Sequence, residues 1–354
     1  MTKILSVAGI NPKFKYGTQE ILAAADRLWL NRKDEKIRAI ARKVILGAEI
    51  QERHSVIPLE TVFADLSFQE KNDLYIEAAK EMAEAALLKA CERADVSPSQ
   101  LDYLITTSCT GFMIPSVDAY LVDKLGLRQN VIRMPITEMG CAGGTSGLTY
   151  AQRILRGDPG AKAALVCVEA PSVTFQRDDD SMENLVSTAI FADGAAAAIL
   201  GDSDKLAPVI LDTNMYHFPN STHLMGYQLT NSGLKIVLDR AVPDAIAEHF
   251  EKFFFPLLKR NQLEIADIDH FVFHPGGKKI IQQVEKLLRP FGKNVDASRT
   301  VLGSRGNLSS ATVLYVLEKV IAVAKPAKGE LGYMLAFGPG FSAQSLLLEW
   351  QARG

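Results

Sequence analysis

A faint internal repeat constrains this chain more than any other feature. Leu101–Leu125 reads LDYLITTSCTGFMIPSVDAYLVDKL, and Ile268–Leu288 reads IDHFVFHPGGKKIIQQVEKLL. Each is an Asp, an apolar strand-like run, a turn rich in Gly or Pro, and then a helix-like stretch. Further on, Gly140–Leu155 (GCAGGTSGLTYAQRIL) parallels Gly306–Ile321 (GNLSSATVLYVLEKVI). Both open on Gly and a residue of reactive type, pass through small residues and end in an amphipathic helix. The separations Asp102 to Cys141 and Asp269 to Asn307 agree to within one position. The alternative is chance similarity between two generic βα units. Taken as a repeat, the chain is two related halves, residues 1–205 and 206–354, whose corresponding loops meet. Cys141 from the first half would then face His274 and Asn307 from the second.

The rest of the chain fits such a frame. Short apolar runs at Leu101–Thr107, Ala163–Val168, Phe271–Phe273 and Tyr333–Phe337 predict strands, and Glu77–Ala90 and Ser310–Ala324 have helical periodicity. Strands alternating with helices argue for an α/β layered fold. Ile190–Gly201 (IFADGAAAAILG) predicts a strand of small residues suited to close packing. Residues Pro208–Gly233, rich in His, Asn and Tyr, read as a loop-rich covering over a cavity.

Several function classes drop out. A net charge of −2 without a basic run argues against nucleic acid. No run of about 18 apolar residues predicts a membrane span, and MTKILSVAGI reads as a first strand rather than a signal peptide. The four cysteines, Cys91, Cys109, Cys141 and Cys167, form no CxxC pair and no disulfide framework, so a reducing cytoplasm is expected. The six histidines have no metal-ligand spacing, which leaves no metal site.

Three residues carry the chemistry. Cys141 lies in EMGCAGGTSGL at the start of a predicted helix, where the positive end of the macrodipole favours thiolate over thiol. The glycines admit a bulky acyl group, and a thiolate there can attack a thioester and hold the acyl chain. Read without its glycines, Cys141 is a buried structural thiol. His274, in FVFHPGG, ends an apolar strand, where α/β folds build sites. Its imidazole can pair with the thiolate or donate to an oxyanion, or simply bond to backbone. Asn307, in GNLSS, is by local context a helix N-cap; the repeat makes it a site residue. AFGPGFSAQ near the C-terminus, with Gly338, Pro339 and Gly340, reads as an active-site wall or as a plain hairpin turn.

Together GCAGGTSGL, HPGG, GNLSS and FGPGF, in this order, make the chain similar to the type III polyketide synthases, the chalcone-synthase-like family of bacterial type. The resemblance runs from about Ser6 to Trp350. It implies a five-layered αβαβα thiolase fold, a homodimer and no cofactor. The implied reaction loads Cys141 from an acyl-CoA and extends it with malonyl-CoA. His274 and Asn307 would stabilise the enolate as CO2 leaves and afterwards the thioester oxyanion. Phe191 matches a gating phenylalanine of the family, whereas Ile236 stands where a second is usual. Cys109 replaces a threonine common in plant members and lines the cavity or serves as a second reactive thiol. Ile114 matches the position that reaches into the partner's cavity, and Ala336 replaces the first glycine of the wall motif. Lys43, with Arg38 and Arg42 on the same predicted helix, matches in part the basic set that holds CoA phosphates, or forms a solvated face.

Apolar residues around Thr174, Phe191, Leu224–Tyr227 and Ile236, with a small gate, favour a long-chain fatty acyl-CoA starter and an alkylpyrone or alkylresorcinol product. A tetrahydroxynaphthalene-type synthase fed by malonyl-CoA alone is the product-level alternative, kept open by Cys109. A ketoacyl-ACP synthase III and a catalytically silent acyl-CoA-binding subunit are the readings from other classes.

Overall fold

A computed structural model describes residues 1–352. In chain order the strands are β1 (Lys3–Ile10), β2 (Phe14–Gly17), β3 (Glu52–Ser55), β4 (Tyr103–Thr107), β5 (Ile132–Ile136), β6 (Ala163–Glu169), β7 (Gly194–Gly201), β8 (Ala207–His217), β9 (Met225–Thr230), β10 (Gly233–Leu238), β11 (His270–Phe273), β12 (Leu331–Gly338) and β13 (Ser342–Gln351). Nine of them form one sheet in the order β11-β12-β13-β8-β1-β7-β6-β4-β5. The repeat seen in the sequence reappears in this order. β4 and β6 are parallel, β6 and β7 antiparallel, β7 and β1 antiparallel. In the second half β11, β12, β13 and β8 repeat the same relations. The halves join edge to edge where Lys3 of β1 pairs with Val209 of β8.

Helices complete five layers, α-β-α-β-α, as the thiolase fold requires. Gly143–Gly157 and Thr312–Lys319 each touch strands of both halves and form the middle layer. Phe68–Ala94 covers β1, β6 and β7 on one outer face, and Val242–Arg260 covers β8 and β13 on the other. Strands buried on both faces read as continuous apolar runs, which is why β6 and β7 are buried at every position. Small residues let the layers approach. A Cβ on Gly144 would lie 2.5 Å from the Ser310 carbonyl oxygen, so the two central helices meet only because that residue is Gly.

Three local expectations hold with differences of detail. Ile190 ends a helix, Met182–Ile190, and the strand begins only at Gly194. Between them the chain pairs sideways, with Asn307 N–H donating to Ile190 O and Ala192 N–H to Asn307 O. The stretch predicted helical at Ser310–Ala324 divides into a 3-10 turn, an α-helix over Thr312–Lys319 and a π-helix over Val320–Ala324. Pro208–Gly233 does reach over a cavity, but most of it is β8 and β9 rather than loop, because β8 is an interior strand between β13 and β1. Among the described residues no helix is long and apolar enough to cross a membrane.

Candidate active site

A chamber of about 520 Å³ opens where the two halves meet, and Cys141, His274 and Asn307 all line it. Each arrives by the local route that the repeat implies. Cys141 sits in a 3-10 turn, Gly140–Ala142, leading into the central helix Gly143–Gly157. Asn307 precedes the corresponding turn, Ser309–Ala311. His274 follows β11, its N–H donating to Leu335 O at 2.8 Å. The FGPG segment is at once the β12–β13 turn and a wall: Pro339 and Gly340 line the chamber. Gly338 does not line it but lies under the Cys141 turn. A Cβ there would come within 2.6 Å of Met139 O and 2.7 Å of the Ala142 Cβ.

The polar groups interlock. Asn307 Nδ2 donates to Gly276 O at 3.0 Å, and Oδ1 accepts from Ser309 N–H at 2.8 Å. The N-cap-like contact is therefore real and also fixes the amide, which hydrogen-bonds Cys141 in turn. An Asn amide has two N–H donors, so holding Gly276 leaves one for the chamber. His274 is 4% exposed, and neither ring nitrogen has a protein hydrogen-bond partner. An imidazole so placed in a cavity wall is free to meet a substrate oxygen or the sulfur.

Burial works against the helix-dipole expectation for the thiol. Desolvation pushes Cys141 up to about 12, against the smaller opposing effects of hydrogen bonds from Ser309 and Asn307. Desolvation alone pulls His274 down to about 3. Neither group holds a charge cheaply by itself.

Three residues outside the sequence-derived site, Ser309, Glu169 and Glu138, share the chamber region with Tyr227 of the expected cavity stretch. Ser309 Oγ stands between two thiols, 3.7 Å from Cys141 Sγ and 3.4 Å from Cys109 Sγ. Glu169, at the end of β6 and fully buried, accepts from Ser310 Oγ at 2.5 Å, Thr110 Oγ1 at 2.8 Å and Cys109 N–H at 3.1 Å. Burial raises its carboxyl, and burial followed by this carboxylate raises Cys109 well above an ordinary thiol. Tyr227 lines the wall and hydrogen-bonds Thr174. Glu138 is the sole acidic or basic side chain on the wall apart from His274 and the thiol and phenol groups. An acid closing an apolar strand, as in LVCVEAP, was the one available sequence signal for Glu169.

The cavity predictions divide. Phe191, Ile236 and Cys109 line the chamber, and Phe191 and Ile236 also line a smaller cavity of about 80 Å³ beyond them. Thr174 belongs to that second cavity, because its Oγ1 turns back to Pro171 O at 2.9 Å. Ile114 is 96% exposed and lines neither. Among the predicted phosphate ligands, Arg42 pairs with Asp26 at 3.0 Å and Arg38 donates to Lys33 O and Asn31 O. Each uses one or two of its five N–H donors in these contacts. Lys43 is exposed and has no such partner among the described residues.

Comparison with known proteins agrees with this architecture. The family models for chalcone and stilbene synthases match residues 21–204 with the N-terminal domain and 211–350 with the C-terminal domain. A 1,3,6,8-tetrahydroxynaphthalene synthase of Streptomyces peucetius is 34% identical over 99% of this chain and 93% of its own. A phloroglucinol synthase of Pseudomonas fluorescens is 31% identical over 96% and 97%. The crystal structure of tetrahydroxynaphthalene synthase from Streptomyces coelicolor, a bacterial type III polyketide synthase, superposes with a TM-score of 0.92 at 26% identity, covering 99% of both chains. The chain belongs to the chalcone and stilbene synthase family, the type III polyketide synthases, which are acyltransferases working by decarboxylative condensation.

Proposed function

We propose that this enzyme builds a small hydroxylated aromatic ring from malonyl-CoA alone. The observation that carries the reading is the polar cluster of Cys109, Ser309 and Glu169 beside the nucleophile. Hydroxyl and thiol donors there suit the repeated carbonyl oxygens of a poly-β-keto chain, whereas an alkyl tail would leave them unpaired at a cost. The products that name two relatives, 1,3,6,8-tetrahydroxynaphthalene and phloroglucinol, carry oxygen on alternating carbons and no alkyl chain. The cavity beyond Phe191 and Ile236, at about 80 Å³, offers little room for one.

In this mechanism Cys141 attacks the malonyl thioester and takes the acyl group. His274 and Asn307 donate to the oxygen that turns negative as CO2 leaves and again as the new carbon–carbon bond forms. Cys141 and His274 ionise together by passing one proton from sulfur to imidazole. Lys43 binds a CoA phosphate at the entrance. The enzyme is a homodimer of a reducing cytoplasm, in which Ile114 reaches the partner's chamber. Its exposure, with Phe112 at 45% and Ile132 at 54% on the β5 edge, supports that arrangement.

A long-chain acyl-CoA starter is the second reading. The observation favouring it is Ile236, a small residue between the chamber and an adjoining cavity walled by Ile21, Leu59, Val62 and Phe63. Product analysis by mass spectrometry separates the two. Malonyl-CoA alone should give an aromatic product. Products formed only when long acyl-CoA is added would establish the second reading and discard the first.

A further inference from the structure

Much of the chamber wall stands on a hairpin that the main sheet does not hold. β9 and β10 pair only with each other, from Gly233 opposite Thr230 to Leu238 opposite Met225. Tyr227, Leu229, Leu234 and Ile236, from both strands, face the chamber. An isolated two-stranded hairpin is marginal in water, so the position of this wall depends on what it docks against: β10 lies on the helix Met182–Ile190, Lys235 pairs with Asp179 at 3.2 Å, and the two ends are tied separately. At the base, Asp239 N–H donates to Leu224 O at 2.8 Å.

The tip is held by two buried polar side chains. Lys71, on the outer helix Phe68–Ala94, is 9% exposed. Its Nζ donates to Ser232 O at the hairpin turn and to Phe175 O in the facing segment, both at 2.9 Å. No carboxylate lies within ion-pair distance among the described residues, and burial lowers the ammonium's pKa. An ammonium taken out of water to hold two backbone carbonyls costs free energy that a surface lysine would not. Gln176, 5% exposed, completes the joint. Its Nε2 donates to Thr174 O at 2.8 Å and Leu234 O at 3.3 Å, and its Oε1 accepts from Ser232 Oγ at 2.7 Å. Gly233 takes φ +116 in the turn between them, a conformation that other residues rarely adopt. The Gln176 segment is itself fixed, since Asn184 Nδ2 donates to Gln176 O and Asp179 O at 2.7 Å each.

We propose that Lys71 and Gln176 are positioning residues that determine product length and ring closure by docking the β9–β10 tip, and hence the Tyr227–Ile236 wall, against the chamber. Neither residue touches the reacting atoms. Loss of the joint lets the wall swing on its base, so the growing chain folds in more than one way before release. The inference rests on the polyketide synthase reading but on neither choice of starter.

The test is Lys71→Met, which keeps the stem and removes the ammonium, with Gln176→Leu and the milder Ser232→Ala, each supplied with the starter that the native enzyme turns over. CoA release should fall by no more than about threefold, while the share of carbon in the principal product falls by at least about threefold in favour of other lengths and ring forms. Lys71→Arg, which can still donate to both carbonyls, should restore the native share. An unchanged product share in folded Lys71→Met and Gln176→Leu, whatever their turnover or melting temperature, overturns the proposal. If Lys71→Met does not fold, an unchanged share in Gln176→Leu and Ser232→Ala overturns it alone. Failure of the native enzyme to release CoA from any thioester would instead overturn the polyketide reading.

Discussion

The charge on Cys141 is the question that decides reactivity at the level of single residues. A helix N-terminus favours thiolate, whereas burial acts the other way and lifts the thiol to about 12. His274, pulled to about 3, would be a poor isolated base. The proposed proton transfer from sulfur to imidazole would offset both costs, because each charge would lower the cost of the other. Replacing His274 by Gln should therefore slow iodoacetamide labelling of Cys141 at neutral pH by at least about tenfold. In the variant the labelling rate should climb with pH toward the value of about 12 that burial sets, without an earlier plateau. Equal labelling profiles for both proteins would remove His274 from the activation of sulfur. A second residue-scale test concerns Gly338, where an added Cβ would strike Met139 O and Ala142. Gly338→Ala should cost about 1–3 kcal/mol of stability by overpacking. Because the strain falls on the Cys141 turn, kcat should drop while KM for malonyl-CoA changes little. A drop in melting temperature with native kcat would mean that the turn absorbs the strain without moving the sulfur.

At the scale of elements, the helix Glu35–Gly47 separates stability from binding. Asp34 caps it, Oδ1 accepting from Ile37 N–H at 2.8 Å, and Lys43 projects from its exposed face. Asp34→Ala should lower unfolding free energy by about 1 kcal/mol in urea titrations and leave KM near its native value. Lys43→Ala should instead raise KM for malonyl-CoA by about threefold at unchanged kcat, as loss of uniform binding does. A native KM in Lys43→Ala would return that face to solvent. Elements also mark where the sequence was readable. The two βα units were legible because glycines, strand runs and helical periodicity recur at matching intervals. The Asn307 role was legible only through that repeat. Glu169 and Ser309 were not, because their importance lies in contacts between segments far apart in the chain, as in Ser310 Oγ to Glu169. The mistaken loop at Pro208–Gly233 has a similar cause. His, Asn and Tyr read as irregular there, whereas lateral pairing with β13 makes β8 a strand.

For the whole molecule, the sheet ends at β5, an edge where Arg133 and Pro135 stand beside exposed apolar neighbours. Natural edges are blunted by charge or covered. Here Ile132 is 54% exposed, while Phe112 and Ile114, at 45% and 96%, stand on the adjoining loop. Asp118, with no exposed surface, has no hydrogen-bond partner for its carboxylate and meets only Arg133 of β5, at 3.4 Å. An apolar patch beside a poorly satisfied buried acid is the kind of surface that the proposed dimer would cover. The loop bearing Phe112 also lines the chamber, so covering the edge and completing the site are one event. Ile132→Arg, which sets a second charge beside Arg133 at the start of that edge, should yield a protein that sediments as a single folded chain. It should lose most condensing activity, although Cys141, His274 and Asn307 are untouched. Retained dimers would mean that the subunits meet elsewhere. Folded monomers of native activity would mean that Ile114 does nothing for a partner's chamber, and that each chain works alone.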